Sequence, residues 1–263
     1  MKAVSELDRV EAHCVWWGDT VSDGFEPWRF GTVLTDDRFP DRWDSNLLRV
    51  ERPLGGADAP TLAEHADRLL ARFRHRQIVV RDDEDGERLA PGFRDLGWEA
   101  DRLVFMVQRR EPDRAPLPLE TLEIDLATIH PLVVETNVQG HGGMSVRDAE
   151  MLADYRRVLI DRLGVRFFVA LLDGEPAGYC ELYVHDGVAQ IEDVNTLERF
   201  RNRGAARAFV SRAIAEGRAA GADLVFLIAD ANDWPRRLYD SMGFDPVGHC
   251  WQFTRPPAGS TYR

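Results

Sequence analysis

At 263 residues the chain has room for two domains of ordinary size, and 33 Lys and Arg against 45 Asp and Glu give a formal net charge of −12. That balance argues against broad nucleic-acid binding and mildly favours cationic or amine ligands. With no long apolar segment, no signal-peptide arrangement, and three cysteines (Cys14, Cys180, Cys250) that lack metal or redox spacing, the composition predicts a soluble cytoplasmic protein without a membrane or metal partner.

In chain order, residues 62–73 have helical spacing, Gln77-Ile78-Val79-Val80 reads as a buried strand, residues 89–97 as a second helix and Leu103-Val104-Phe105-Met106-Val107 as another strand. Trp16, Trp17, Trp28 and Trp43 are expected to fill the core of this half, the alternative being that they close one side of a ligand pocket. Arg72, Arg74, His75 and Arg76 fall at a helix C-terminus, where cations are favoured by the macrodipole. Residues 111–118, rich in proline, are the expected linker, dividing the chain into 1–112 and 113–263.

Beyond the linker the hydrophobic period shortens. Residues 165–172, 178–184 and 188–194 are strand candidates separated by Asp173-Gly174 and Asp186-Gly187, which predicts an antiparallel meander. Arg201-Asn202-Arg203-Gly204-Ala205-Ala206 then leads into a helix whose apolar stripe is Phe209, Val210, Ala213, Ile214 and Gly217 and which Gly221 ends. A buried strand at 224–229 follows, then a short helix near 234–242 with Pro235 in its first turn and Gly243 after it, then a last strand at 247–254.

The junction at 201–206 is a place to hold a pyrophosphate. A helix start has amides with no intrahelical acceptor and the positive end of the dipole, and small residues let an anion approach them. Arg199, Arg201, Arg203 and Arg207 concentrate positive charge there in an otherwise acidic chain. No G-x-G-x-x-G precedes the helix, so a doubly wound dinucleotide fold is excluded.

The segment from Glu192 to Phe244 resembles the acetyl-CoA-binding core of the GCN5-related N-acetyltransferases, the GNAT family. The family loop, Gln/Arg-x-x-Gly-x-Gly/Ala, is matched by Arg201, Gly204 and Ala206, with Ala206 replacing the second glycine. Asn232, Leu238-Tyr239 and Gly243-Phe244 follow in the family's order, with Pro235 where alanine is usual. The resemblance spans 113–263 and is most specific over 188–253. It extends to the first half as a worn copy, with Gly97-Trp98 in the place of Gly243-Phe244 and Phe93 in that of Tyr239. Residues 53–60 have glycines, an acid and no arginine where phosphates would sit. The fold class implied is α/β (α+β), two GNAT-like units, each a mixed, mostly antiparallel sheet flanked by helices; the first lacks a cofactor site.

The resemblance implies transfer of an acetyl group from acetyl-CoA to the amine of a small-molecule acceptor by direct attack. Glu192 is then the base, with Asp193 as its substitute, and Tyr239 the acid. Strand alternation predicts Gln190, Glu192 and Val194 on one face and Ile191 and Asp193 on the other, and burial in a cleft would raise the Glu192 pKa. Val194, Asn195 and Thr196 would run beside the pantetheine, with the Val194 amide polarising the thioester oxygen. Arg201 and the amides of Arg203, Gly204, Ala205, Ala206 and Arg207 would hold the pyrophosphate, and Asn232 would support the pantetheine. The acceptor pocket falls to the region 135–144, whose glycine-rich part suggests a mobile loop, with His141, and to Glu181 and Tyr183. The alternatives are a non-catalytic acyl-CoA-binding regulatory module and an acetyltransferase for protein N-termini or lysines. Oligomeric state is not legible.

Overall fold

The computed structural model describes residues 4–140, 144–232 and 235–257. The first half runs α1 (Glu6–Val21), β1 (Gly24–Trp28), β2 (Gly31–Thr35), a 3-10 turn (Trp43–Ser45), β3 (Leu47–Val50), α2 (Ala59–Leu69), β4 (Arg76–Val80), α3 (Asp83–Asp95) and β5 (Glu99–Gln108). The second runs β6 (Thr121–Ile124), α4 (Leu126–Gln139), α5 (Val146–Leu163), β7 (Arg166–Leu172), β8 (Glu175–His185), β9 (Val188–Thr196), a 3-10 turn (Glu198–Phe200), α6 (Ala205–Ala219), β10 (Leu224–Asp230), α7 (Pro235–Asp240) and β11 (Phe244–Arg255). No described helix is long and apolar enough to cross a membrane.

Local chemistry accounts for the boundaries. α1 opens on a reciprocal cap, the Ser5 hydroxyl accepting the Asp8 amide at 3.1 Å and Asp8 accepting the Ser5 amide at 3.0 Å. The two Asp-Gly pairs are tight hairpin turns with both residues at positive φ (Asp173 +56°, Gly174 +83°; Asp186 +46°, Gly187 +73°), which matches the right-handed twist of the flanking strands. A loop of only two residues starts β8 at Glu175, earlier than the apolar run at 178. Residues 135–139 form the last turn of α4, and Gly140 follows as its cap.

All eleven strands join one sheet in the order β1-β2-β3-β4-β11-β5-β10-β9-β8-β7-β6. It is mostly antiparallel, and each half contributes an antiparallel meander followed by one parallel pair, β3 with β4 and β9 with β10. The halves exchange their last strands. β5 lies antiparallel to β10, pairing Phe226 with Val107 and Asp230 with Leu103, while β11 crosses to β4, pairing Trp251 with Val80 and Arg255 with Arg76. β5 and β11 also pair with each other from Phe244↔Gln108 to Thr254↔Glu99.

The exchange decides where the cores lie. Trp251 and Phe253 of β11 are buried in the N-terminal core under α2 and α3, with Phe253 stacked on Phe93 at 4.2 Å between ring centroids. α1 places Val10 among Phe105, Val107, Val188, Leu224 and Phe226, across the middle of the sheet. A larger core under α4, α5 and α6 belongs to the second half. Because apolar burial is the main favourable contribution to folding, neither half can bury its own core without a strand from the other.

Candidate active site

The sheet opens between β9 and β10. Their parallel pairing runs from Val188↔Leu224 to Ile191↔Leu227 and stops, although β9 continues to Thr196 and β10 to Asp230. Beyond Ile191, β10 turns its pairing to β5, so the β10-facing edge of β9 at Val194, Asn195 and Thr196 is left without a strand partner. Such an edge can accept an extended amide-containing ligand as an added strand.

A bulge sits at the same point. Opposite β8, the register steps from Tyr179↔Asn195 to Glu181↔Glu192, so β9 has one residue more than its partner, and Asp193 takes φ +49°. The extra residue breaks the alternation expected from sequence. Ile191 is buried on the other face as predicted, but Asp193 turns to the same side as Glu192, and both line one cavity of about 450 Å³.

That cavity is walled by both halves of the chain. The second half supplies Asn137 from α4, Arg156 from α5, Glu181 and Tyr183 from β8, Gln190, Glu192 and Asp193 from β9, and Asp230 from β10. The first half supplies Cys14 and Trp17 from α1, with Asp44 from the 3-10 turn and Arg42 just before it. Trp17, expected to fill the core with closure of the pocket as the alternative, is part of the wall.

Glu192 accepts a hydrogen bond from Gln190 Nε2 at 2.6 Å. Burial pushes its carboxyl up to about 8, the Gln190 bond opposes this, and the neighbouring charge of Asp193 adds to it. Among the described residues no arginine pairs with it. Of the two arginines on this wall, Arg156 is instead saturated by other groups: Nε donates to Glu181 Oε1 at 2.8 Å, Nη1 to the Leu152 carbonyl at 2.7 Å, and Nη2 to Asp193 Oδ2. Asp193 also accepts from the Tyr179 hydroxyl at 2.8 Å and from Asn195 Nδ2 at 2.6 Å. Glu181 is 3% exposed and also accepts the Tyr183 hydroxyl, so these two predicted acceptor residues face the cavity already bonded to each other. Burial raises the Arg156-paired Glu181 carboxyl, against the pull of that guanidinium.

The other end of the opening is the start of α6. Gly204 caps the helix at φ +86° without a side-chain hydrogen bond, and the amides of Arg203, Gly204, Ala205, Ala206 and Arg207 have no acceptor among the described residues. These free amides, with the unpartnered β9 edge, fit a diphosphate followed by an amide-bearing arm. The basic side chains are tied elsewhere: Arg199 to Glu135, Arg201 to Glu198 at 3.2 Å, Arg203 to Asp173 at 2.8 Å. Arg207 is buried and donates to the Ser241 hydroxyl at 2.5 Å, tethering α6 to the turn before β11. Leu117, in the segment between β5 and β6, lies 2.8 Å from where a Cβ on Gly204 would project. Gly204→Val therefore meets both a left-handed φ and a side chain already in place. Isothermal titration with coenzyme A should show at least tenfold weaker binding, and urea unfolding a loss of about 1–2 kcal/mol. Unchanged affinity in a folded variant would remove the loop from the site.

Tyr239 is buried against Phe244 and does not line the cavity; burial and the nearby negative charge of Glu192 raise its pKa and keep the phenol protonated. Asn232 is exposed, its amide donating to Asp230 Oδ1 at 2.7 Å. His141 lies outside the described residues. Sequence reasoning missed Arg156, Arg42 and Asp44. The first sits in a helix, Asp44 in a 3-10 turn and Arg42 in the loop before it, positions that a pattern of apolar spacing assigns to solvent.

Comparison with known proteins gives the following. Residues 143–244 match the model of the Acetyltransferase (GNAT) family. No curated protein matches the sequence. Among solved structures, a conserved protein of unknown function from Staphylococcus epidermidis ATCC 12228 aligns at TM-score 0.71 and 14% identity over 90% of this chain and 94% of that one. A GCN5-related N-acetyltransferase from Kribbella flavida aligns at TM-score 0.59 and 17% identity over 97% of both chains. A tandem GNAT protein from the clavulanic acid biosynthesis pathway aligns at TM-score 0.51 and 13% identity over 76% of this chain and 70% of that one. At these identities the structural likeness speaks for the fold. Residues 143–244 are thus a GNAT-family domain by the match to its model, and the chain as a whole, its first half included, is GNAT-like by fold.

Proposed function

We propose that the chain is an acetyl-CoA-dependent N-acetyltransferase acting on a small amine, with Glu192 as general base and Tyr239 as proton donor. The observation that supports this most is a carboxyl raised to about 8 on the wall of a 450 Å³ cavity, where β9 and β10 separate. Val194, Asn195 and Thr196, the amides of residues 203–207, Arg201 and Asn232 would hold acetyl-CoA. When bound, acetyl-CoA supplies an activated thioester carbonyl. An acceptor arriving as its ammonium ion has no free lone pair, and the ionised Glu192 takes that proton, directly or through one water. The Tyr239 hydroxyl, held protonated, is in the form needed to donate to a departing thiolate.

In this reading 113–263 is the catalytic unit and 1–112 has no cofactor site. The corresponding loop of the first half is closed by its own residues: the Asp58 side chain caps α2 by accepting the Thr61 amide at 3.0 Å, and Leu54 is buried below it. The three cysteines are unpaired, which fits a reducing cytoplasm. The test is release of free thiol from acetyl-CoA over a panel of small amines and short peptides. Release with small amines alone supports the proposal. Coenzyme A binding without release marks a regulatory module, and release with peptides alone a protein acetyltransferase.

A further inference from the structure

Two guanidinium groups reach the cavity, and they differ in one respect. Every nitrogen of Arg156 has a protein acceptor. Arg42 is also nine-tenths buried, and only its Nε is bonded, to Ser45 Oγ at 3.1 Å. Its Nη1 and Nη2 make no hydrogen bond among the described residues. The one carboxylate within ion-pair range, Asp44 Oδ2, lies at 4.0 Å, too far for a hydrogen bond.

Arg42 is also held in place. Its guanidinium lies 3.9 Å from the centroid of the Tyr155 ring and 5.9 Å from that of Trp17, and Ser45 Oγ in turn donates to the Tyr155 hydroxyl at 3.2 Å. Asp44 is occupied by Gln77 Nε2 at 3.2 Å and Gln252 Nε2 at 3.4 Å, which keeps it from closing onto Arg42. A planar fork fixed through its stem, with its outer nitrogens free, matches the two oxygens of a carboxylate, and a buried cation without a close counter-ion favours one.

We infer that the acceptor is an amino acid or a close derivative, with Arg42 binding its carboxylate while its amine lies toward Glu192. This rests on the acetyltransferase reading above. It makes the first half of the chain a source of acceptor specificity. Of the other carboxylates that line the cavity, Glu181 and Asp193 are already neutralised in part by Arg156; Asp44 and Asp230 remain, and a zwitterion, which brings no net charge, has an ammonium group to set against them.

The experiment compares amino acids with their decarboxylated amines, such as lysine with cadaverine and phenylalanine with phenethylamine, in the parent, Arg42→Gln and Arg42→Lys. Thiol release is resolved into kcat and KM. The parent should favour the carboxylate-bearing member by at least tenfold in kcat/KM. Arg42→Gln should bring that ratio close to one, mainly through KM, and Arg42→Lys should restore part of it. Equal use of both members by the parent, or equal loss on both in Arg42→Gln, overturns the assignment. Titration with coenzyme A separates the two levels: no binding removes the acetyltransferase reading itself. Where coenzyme A binds but no amine is turned over, the complex is titrated with the same amino acids, and the absence of any heat that Arg42→Gln abolishes also overturns it.

Discussion

Glu192→Gln is expected to lower kcat/KM about 10²–10³-fold at pH 8, the range that a positioned base supplies, and to leave coenzyme A affinity nearly intact. In the parent, kcat/KM should rise as pH increases through about 8, because only the ionised carboxylate can take the ammonium proton. In the variant that limb should vanish, leaving the rise set by the acceptor's own amine. A stability measurement provides an independent check. A carboxyl whose folded pKa is raised contributes stability that is full below its unfolded value and is lost as pH climbs through the folded one. The shift from 4.5 to about 8 is reduced in effect by the open cavity, so Gln should gain on Glu by about 2 kcal/mol between pH 5 and pH 9 in thermal unfolding. An unchanged pH–rate profile in the variant would assign the base to another group, and a constant stability difference across that range would mean that Glu192 titrates normally.

What could be read from the sequence was what depends on neighbours in the chain. The Asp-Gly hairpins, the helix after Gly204 and the buried strand β10 follow from φ preference, spacing and apolar runs, and the structure has all of them. The exchange of β5 and β11 could not be read. An apolar strand has the same pattern whichever strand it pairs with, and only the pairing Phe226↔Val107 or Trp251↔Val80 distinguishes the outcomes. The face of Asp193 was lost for a related reason: a period of two holds only while both strands advance together, and one inserted residue reverses everything after it. Aspartate is among the few residues that tolerate the left-handed region, which is a permissive signal rather than a diagnostic one. Arg42 and Arg156 were invisible because a buried arginine is recognised by what surrounds it, and their partners lie far away in sequence.

That bulge is also where a single substitution should have its largest effect on stability. Arg156→Met removes the guanidinium that joins Glu181 to Asp193, leaving one carboxyl 3% exposed and the other with the Tyr179 hydroxyl and Asn195 amide but no cation. Breaking a buried ion pair from one side typically costs about 3–5 kcal/mol, more than the pair contributes when intact, because an uncompensated charge stays behind. The cost should depend on pH in a known direction. Without Arg156 only the Tyr183 hydrogen bond and the more distant charge of Arg42 offset burial at Glu181, its folded pKa rises further, and the variant should be closest to the parent near pH 5 and fall away toward pH 8. Urea unfolding at the two pH values measures this, and adding Glu181→Gln to Arg156→Met should recover part of the loss at pH 8. The substitution should also reach the chemistry. Asp193 holds its φ of +49° against the preference of an L residue, and Arg156 is one of three side chains that fix it there. Loosening the bulge lets Glu192, one residue earlier, change direction, so turnover should fall while the free amides at the start of α6 still bind coenzyme A. A loss of stability equal at both pH values, or one below about 1 kcal/mol, would mean that the Glu181–Arg156–Asp193 network is solvated rather than buried in solution.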